Sequence, residues 1–491
     1  MNKPDSERVL VLFGLAGTGK SSIAYELAGR FRDMNRLTSY FAFLRAEKSK
    51  GEDYVLLTTI IHGLCNRYPS FKTALGKVIR DNKPLRAARD YHTLFESMIL
   101  QPLKDVHTVG PIFIIIDALD ESGDAIDRTG LHTFLAEHLA SLPSNFRILI
   151  TSRLEQNIMD AFDKVTKASF QIVHMDDSKL AARTGNDIRL YFEKHLSPDL
   201  LTQYGDKLVE KAEGLFQWAA VACKYINNAP GGLSGEDCIC ALLKLSTDHE
   251  ELNEKLGPLD SLYKQVLEGY LETPFVQRRF VSIMGQLLAA FEPLSIHSLT
   301  AMPGYLGDPL NKNKQSVISA TLRPLGSLLS NVTSTSTDET LPIVPLHTSF
   351  RDFLTNKKKS GDFYIDLRKA HYQLARACLD LMLSDLKFNI CNLETSYLPN
   401  SEILVSRINR HISPALFYAC CFWDDHLHRL SFNRDLLARL QSLFKTKFLF
   451  WLEVLSLKSS VDLAIPALST LKAWLASGHD NEVHPTVQHN N

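Results

Sequence analysis

Residues 13 to 22 read FGLAGTGKSS, and this short stretch constrains the fold more than any other part of the chain. Gly14-Leu15-Ala16-Gly17-Thr18-Gly19-Lys20-Ser21 fits the pattern G-x-x-x-x-G-K-[ST] without a mismatch. Glycines let the backbone curl until successive N–H groups point inward, which makes a cradle for phosphate oxygens. In such a cradle Lys20 reaches the β- and γ-phosphates and the Ser21 hydroxyl helps hold Mg²⁺. The candidate nucleotide-binding set is therefore Gly14, Leu15, Ala16, Gly17, Thr18, Gly19, Lys20, Ser21 and the adjoining Ser22. Context strengthens the pattern. RVLVLF before it reads as a buried strand. SSIAYELAGRF after it sets Ile23, Ala24, Leu27, Ala28 and Phe31 at helical spacing, so the loop opens onto a helix N-terminus.

That local unit predicts what surrounds it. From residue 9 to 175, β-rich runs alternate with helical stretches: VLVLFGL, SYFAFL at 39–44, PIFIIIDAL at 111–119, FRILITS at 146–152 and SFQIVHM at 169–175. Alternation of this kind implies an α/β domain, a mostly parallel sheet covered by helices. Ligands then sit beyond the carboxyl ends of the strands, where Gly14 and Asp117 both fall. After 176 the strand signal largely stops, and amphipathic helices such as DIRLYFEKHL and EGLFQWAAVACKYI take over. LGSLLS and LPIVPL flank the polar stretch NVTSTSTDET, which reads as a β-wing and hence a small winged-helix unit. The expected division is an α/β P-loop NTPase domain at 1–175, an all-α domain at 176–258, a winged-helix domain at 259–362, a helical region at 363–478 and a disordered tail at 479–491.

Composition removes several alternatives. A chain of 491 residues, 45% hydrophobic, has ample core for about three domains. Its formal net charge of −1 provides no global basic field, so neither nucleic acid nor an anionic membrane is expected as a partner. The eight cysteines form no C-x-x-C pair and read as buried thiols in a reducing compartment, which points to the cytoplasm. The most apolar run, FLFWLEVLSL at 448–457, carries Glu453 and reads as a core helix.

FIIIDALDES supplies a complementary signal. A buried strand ends in Asp117, placed to hold Mg²⁺ through water or Ser21, and Asp120 and Glu121 follow one short turn later. Phosphoryl transfer to water needs a carboxylate that orients the water and takes its proton, and either acid suits that role. FRILITSR ends a further strand at Thr151, Ser152 and Arg153, and a guanidinium there is suited to sense the γ-phosphate or stabilise its developing charge.

Taken in order, GLAGTGKSSIA, IIIDALDES, ILITSRLE, DIRLYFEKHL and EGLFQWAAVACKYI resemble a fungal NACHT-type NTPase, described as nephrocystin-like at its N-terminal domain and assigned to the signal-transducing STAND class. LHTSFRDFL, NICNLETSYLPN and YACCFWDDHL resemble the helical segments that follow, so the likeness spans roughly residues 8 to 475. It implies a protein that is closed on ADP and opens to oligomerise when ATP replaces it. It also implies phosphate and Mg²⁺ roles for Lys20, Ser21 and Asp117, a water-activating role for Asp120 or Glu121, and a sensor role for Arg153. His347, in LHTSFRDFL, resembles the winged-helix histidine that touches the β-phosphate of ADP. One departure concerns the base: Phe216 stands in GLF where many members have proline, which leaves ATP or GTP open. Effector and repeat domains that accompany such NTPases are not read in these residues.

Weaker signals were weighed beside these. CCFWDDHLHRL at 420–430 sets Asp424 and His428 on one helical face, and reads as helix packing rather than a metal site. The NKKKS run at 356–360 reads as a solvated linker. The expectation is thus a switch that binds ATP or GTP with Mg²⁺, hydrolyses it slowly, and signals through self-association or other signalling proteins. Its rivals are a nucleotide-locked scaffold and a metabolic P-loop phosphotransferase, for which neither an acceptor pocket nor an arginine-bearing lid is evident.

Overall fold

A computed structural model of the chain describes residues 8–43, 52–87, 90–104, 106, 110–122, 125–163, 170–175, 177–229, 232–244, 256–271, 273–302, 313–332, 338–395, 397 and 399–483. The chain divides into two compact units, one of residues 1–223 with 239–246, the other of 224–238 with 247–491.

The first unit is built on a five-stranded sheet: β1 (Val9–Phe13), β2 (Leu37–Ala42), β3 (Ile112–Asp117), β4 (Phe146–Ser152) and β5 (Phe170–His174). Its order is β2-β3-β4-β1-β5, and every pairing is parallel. The expected α/β architecture is present. β3 and β4 are apolar save for Arg147 and their carboxyl ends, because they lie inside the sheet and helices cover both faces. Period-two alternation sorts their side chains. Ile114, Ile116, Ile148 and Ile150 join Val9, Val11 and Phe13 in one core, together with Leu56, Leu57, Ile60 and Leu64 of the helix Glu52–Arg67. Ile115, Leu149 and Leu12 form a second core on the opposite face against the helix Lys20–Asp33. These two helices are α1 (Lys20–Asp33) and α2 (Glu52–Arg67).

α1 approaches the sheet through Ala24 and Ala28, both buried, with Leu27 and Phe31 beside them. Ile23, expected on this stripe, instead lies 38% exposed, because the stripe that meets the sheet runs 24, 27, 28, 31 and Ile23 falls outside it. α2 comes close to the edge strand where the register with β3 shifts between Leu37 and Ser39. A Cβ on Gly63 would lie only 2.2 Å from the Thr38 carbonyl oxygen. Gly63→Ala is therefore expected to lower stability by about 2 kcal/mol through overpacking, read as a lower denaturant midpoint with an unchanged slope. A wild-type midpoint would show that α2 shifts to accommodate the methyl.

Among the described residues of the second unit there are helices and no named strands. Leu367–Asp385 and Pro414–His428 pack together, and Trp451 of the helix Phe448–Leu457 donates from Nε1 to the Cys420 carbonyl at 2.9 Å. The expected β-wing reduces to isolated antiparallel bridges, Leu329 with Pro345 and Ser295 with Pro342. Ser330 N–H donates to Val344 O and Leu346 N–H to Leu328 O, but Pro342 and Pro345 have no N–H with which to extend a ladder. Residues 333–337, the tip of that feature, lie outside the described residues.

Two smaller expectations change. NKKKS forms a short helix, Lys357–Ser360, because the Asn356 side chain accepts from two of its N–H groups, and Lys359 pairs with Asp260 at 2.8 Å. The last helix, Ala464–Val483, runs past 478, since nothing in DNEV breaks a helix before Pro485; residues 484–491 lie outside those described. CCFWDDHLHRL packs as a helix, as expected, with Asp424 and His426 both buried. Tyr418 Oη accepts from Phe291 N–H and meets His426 Nε2 at 2.9 Å, and His426 Nδ1 meets His371 Nδ1 at 2.9 Å. Complete burial holds the His426 pKa well below its usual value. No group of three or more metal-ligating side chains occurs among the described residues, and no described helix is long and apolar enough to cross a membrane.

Candidate functional site

The loop between β1 and α1 has the backbone its glycines permit. Gly17 and Gly19 sit at φ 86° and 93°, in the left-handed region where any other residue is strained. At Gly14 the constraint is space, because a Cβ would meet Thr18 Oγ1 at 2.9 Å and Met175 Cβ at 3.0 Å. Gly19 caps α1 and has no side chain with which to accept from the first N–H groups of that helix. This leaves the positive end of its dipole directed into the loop. Leu15 is exposed, Ala16 half-buried, Thr18 buried, and Ser21 and Ser22 lie on the exposed side of the first turn. Thr18 Oγ1 closes the curl by donating to Leu15 O at 2.9 Å.

Lys20 is buried, and its Nζ donates to Gly14 O at 2.8 Å and Leu15 O at 2.9 Å. Burial lowers its pKa to about 8; Asp120 opposes this most strongly, Arg153 adds to it, and Asp117 and Glu121 oppose it. An ammonium held here by carbonyls is one that phosphate oxygens can claim.

The sheet order explains how the acids and Arg153 come together. β4 lies between β1, which leads into the loop, and β3, which ends in Asp117. Asp117 is buried and accepts hydrogen bonds at both oxygens. Ser21 donates to Oδ1 at 3.1 Å, Thr151 Oγ1 also donates to Oδ1, and the Tyr40 hydroxyl donates to Oδ2 at 3.2 Å. Ala118 follows at φ 57°, a left-handed conformation costly for alanine, and its N–H is held by Thr151 Oγ1 at 2.9 Å. That kink starts the 3₁₀ turn Leu119–Glu121 and buries both Asp120 and Glu121 at the strand ends.

Asp120 and Arg153 form a two-point pair. The Arg153 backbone N–H donates to Asp120 Oδ1 at 3.0 Å, and Nε lies 3.0 Å from Oδ2. Asp120 is 3% exposed and Arg153 21%, so the pair faces solvent only through the guanidinium. The Ser152 carbonyl accepts from Gly14 N–H at 3.3 Å, tying the end of β4 to the start of the loop.

The segment after residue 213 also reaches the loop. Gln217 N–H donates to Gly17 O at 3.1 Å, and Phe216 Cδ2 lies 3.6 Å from where a Cβ of Gly19 would be. Phe216 thus stands against the loop itself. His347 belongs to the other compact unit and is placed within it. It caps the helix Thr348–Leu354, Nδ1 accepting from Ser349 N–H at 3.1 Å and meeting Ser349 Oγ at 2.7 Å.

Two participants escaped sequence reasoning. Gln217 acts through its main chain, which carries no residue signature. Tyr40 is one of several aromatics in SYFAF, and only the β2–β3 register, Ala42 opposite Asp117, puts it on the face of Asp117 within reach of the carboxylate.

Among curated proteins none matches the chain. One similar solved structure is that of Drosophila ORC bound to DNA, at 15% identity and a TM-score of 0.27, covering 70% of this chain and 88% of that one. The expectation that nucleic acid is not a partner is corrected beside this DNA-bound match. The physical reason is that a net charge of −1 sums over the whole chain and says nothing of local basic surface. A likeness of that TM-score carries no argument about what this chain binds. The family model described as nephrocystin 3, N-terminal, matches residues 1–153. The stretch that it matches holds the glycine loop, the acidic turn and Arg153, and this part of the chain is therefore a nephrocystin-like, nucleotide-binding P-loop region.

Proposed function

We propose that the chain is a nucleotide-dependent switch of the STAND type, binding ATP or GTP with Mg²⁺ and hydrolysing it slowly. The observation that carries this reading is the convergence on one loop of Lys20, the Ser21–Asp117–Thr151 set and the Asp120–Arg153 pair. The residues fit the ligand: an uncapped helix N-terminus for phosphate, and a hydroxyl beside a buried carboxylate for the metal. Bound Mg²⁺ would neutralise phosphate charge and fix the phosphate's orientation.

Within this reading Lys20 leaves the Gly14 and Leu15 carbonyls for phosphate oxygens. Glu121, buried beside Asp120 at the strand ends, orients the water and takes its proton, while Asp120 holds Arg153 through both oxygens. Arg153 senses the γ-phosphate from its place on Asp120. Contact of Gln217 and Phe216 with Gly17 and Gly19 supports a helical segment that responds to the state of the loop. A winged-helix role for the region of His347, a cytoplasmic site of action and signalling through self-association belong to the same proposal.

The test is the nucleotide content of the freshly purified protein, released by denaturation and separated by chromatography. Near-stoichiometric ADP is expected. Empty protein that also fails to take up ATP or GTP with Mg²⁺ would overturn the reading. Transfer of phosphate to an added metabolite in preference to water would favour a phosphotransferase instead.

A further inference from the structure

We infer that Tyr40, on the edge strand β2, is a positioning residue for the metal-binding carboxylate Asp117. This rests on the nucleotide and Mg²⁺ reading above and adds to it a residue outside the loop and acidic-turn motifs.

The argument starts from the carboxylate. Ser21 and Thr151 both donate to Oδ1, so that oxygen is fixed from the loop and from β4. Oδ2 accepts from Tyr40, which approaches from the opposite neighbour, β2. Donors on two sides fix rotation about the Cβ–Cγ bond, which donors on one oxygen alone leave freer. The carboxylate plane is thereby set before any cation arrives. Groups that orient a metal-binding side chain in this way commonly change metal affinity by a factor of ten or more when removed.

The ring is placed by packing as well as by its hydroxyl. It lies against the core of Leu12, Ala24, Ala28, Ile115 and Leu149. Tyr40 is only half-buried, so loss of the hydroxyl does not leave a sealed cavity in the core.

The experiment compares wild type with Tyr40→Phe in equilibrium binding of a fluorescent ADP, first in EDTA and then across a Mg²⁺ titration. Metal-free affinity is expected to stay within twofold. The Mg²⁺ concentration at half-effect is expected to rise about fivefold or more, as one oxygen of the carboxylate loses its donor. A midpoint that stays within twofold, or moves to lower Mg²⁺, overturns the inference. Equal weakening with and without Mg²⁺ also overturns it, because it would show a general disturbance of the site. Tyr40→Met, which fills similar volume without a hydroxyl, is measured alongside and must show the same Mg²⁺-specific change. Wild-type protein that binds no nucleotide in either buffer would instead count against the switch reading itself, so the two failures are distinguishable.

Discussion

Lys20→Met is expected to weaken nucleotide binding on the order of a hundredfold, since two charge-assisted hydrogen bonds to phosphate are lost together. The same change should leave the nucleotide-free protein no less stable at neutral pH. Lys20 is buried, and holding an ammonium whose pKa falls from 10.5 to about 8 costs about 3 kcal/mol. The sign follows from proton counting. Between pH 8 and 10.5 the unfolded chain binds the proton that the folded chain has released, so stability from this group rises with pH across that window. Below pH 8 the full cost is present. Methionine keeps the volume and removes the charge, so its advantage over lysine should be largest at pH 7 and shrink towards pH 10. Thermal melts of the two nucleotide-free proteins at those pH values check this, and a variant that melts well below wild type at pH 7 would refute it. Phosphate affinity of the wild type should run the other way, falling as pH rises through about 8, because the cradle then loses its cation.

Glu121→Gln is the second large effect. Removing a positioned general base lowers a hydrolytic rate by about 10² to 10⁴, while the isosteric amide leaves the turn and nucleotide affinity in place. Asp120→Asn should behave differently. It keeps an acceptor for the Arg153 N–H but leaves the guanidinium without its carboxylate partner. Breaking such a pair costs on the order of 1–3 kcal/mol here, less than for a fully buried pair because Arg153 is partly solvated. Asp120→Asn is therefore expected to lower the melting temperature and to retain more of the rate than Glu121→Gln. Single-turnover hydrolysis of bound ATP measures both. If Glu121→Gln hydrolyses at the wild-type rate and Asp120→Asn does not, the roles assigned to the two acids are reversed.

The acidic turn shows why sequence left that choice open. Asp120 and Glu121 are adjacent, both carboxylates, and stand three and four positions from Asp117 along the chain. Their surroundings differ because Ala118 takes a left-handed conformation and β4 sits beside β3, which delivers Arg153 to Asp120. The same holds for the stripe of α1. Helical spacing placed Ala24, Leu27, Ala28 and Phe31 correctly, while the limit of the stripe, which leaves Ile23 outside, was set by contact with the sheet.

What the sequence by itself determined is local: a glycine-permitted curl between a buried strand and a helix, the strands that end in Asp117 and in Thr151-Ser152-Arg153, and the parallel sheet those apolar runs require. These follow from backbone sterics and from period-two or 3.6-residue burial, which are properties of neighbouring residues. What only the tertiary structure decided is who meets whom across the sheet. Tyr40 at Asp117, Thr151 bridging Asp117 and Ala118, Arg153 on Asp120 and Gln217 on Gly17 join residues 33 to 200 positions apart. Strand order and register bring them into hydrogen-bonding distance, and neither is encoded in any window of the chain short enough to show periodicity.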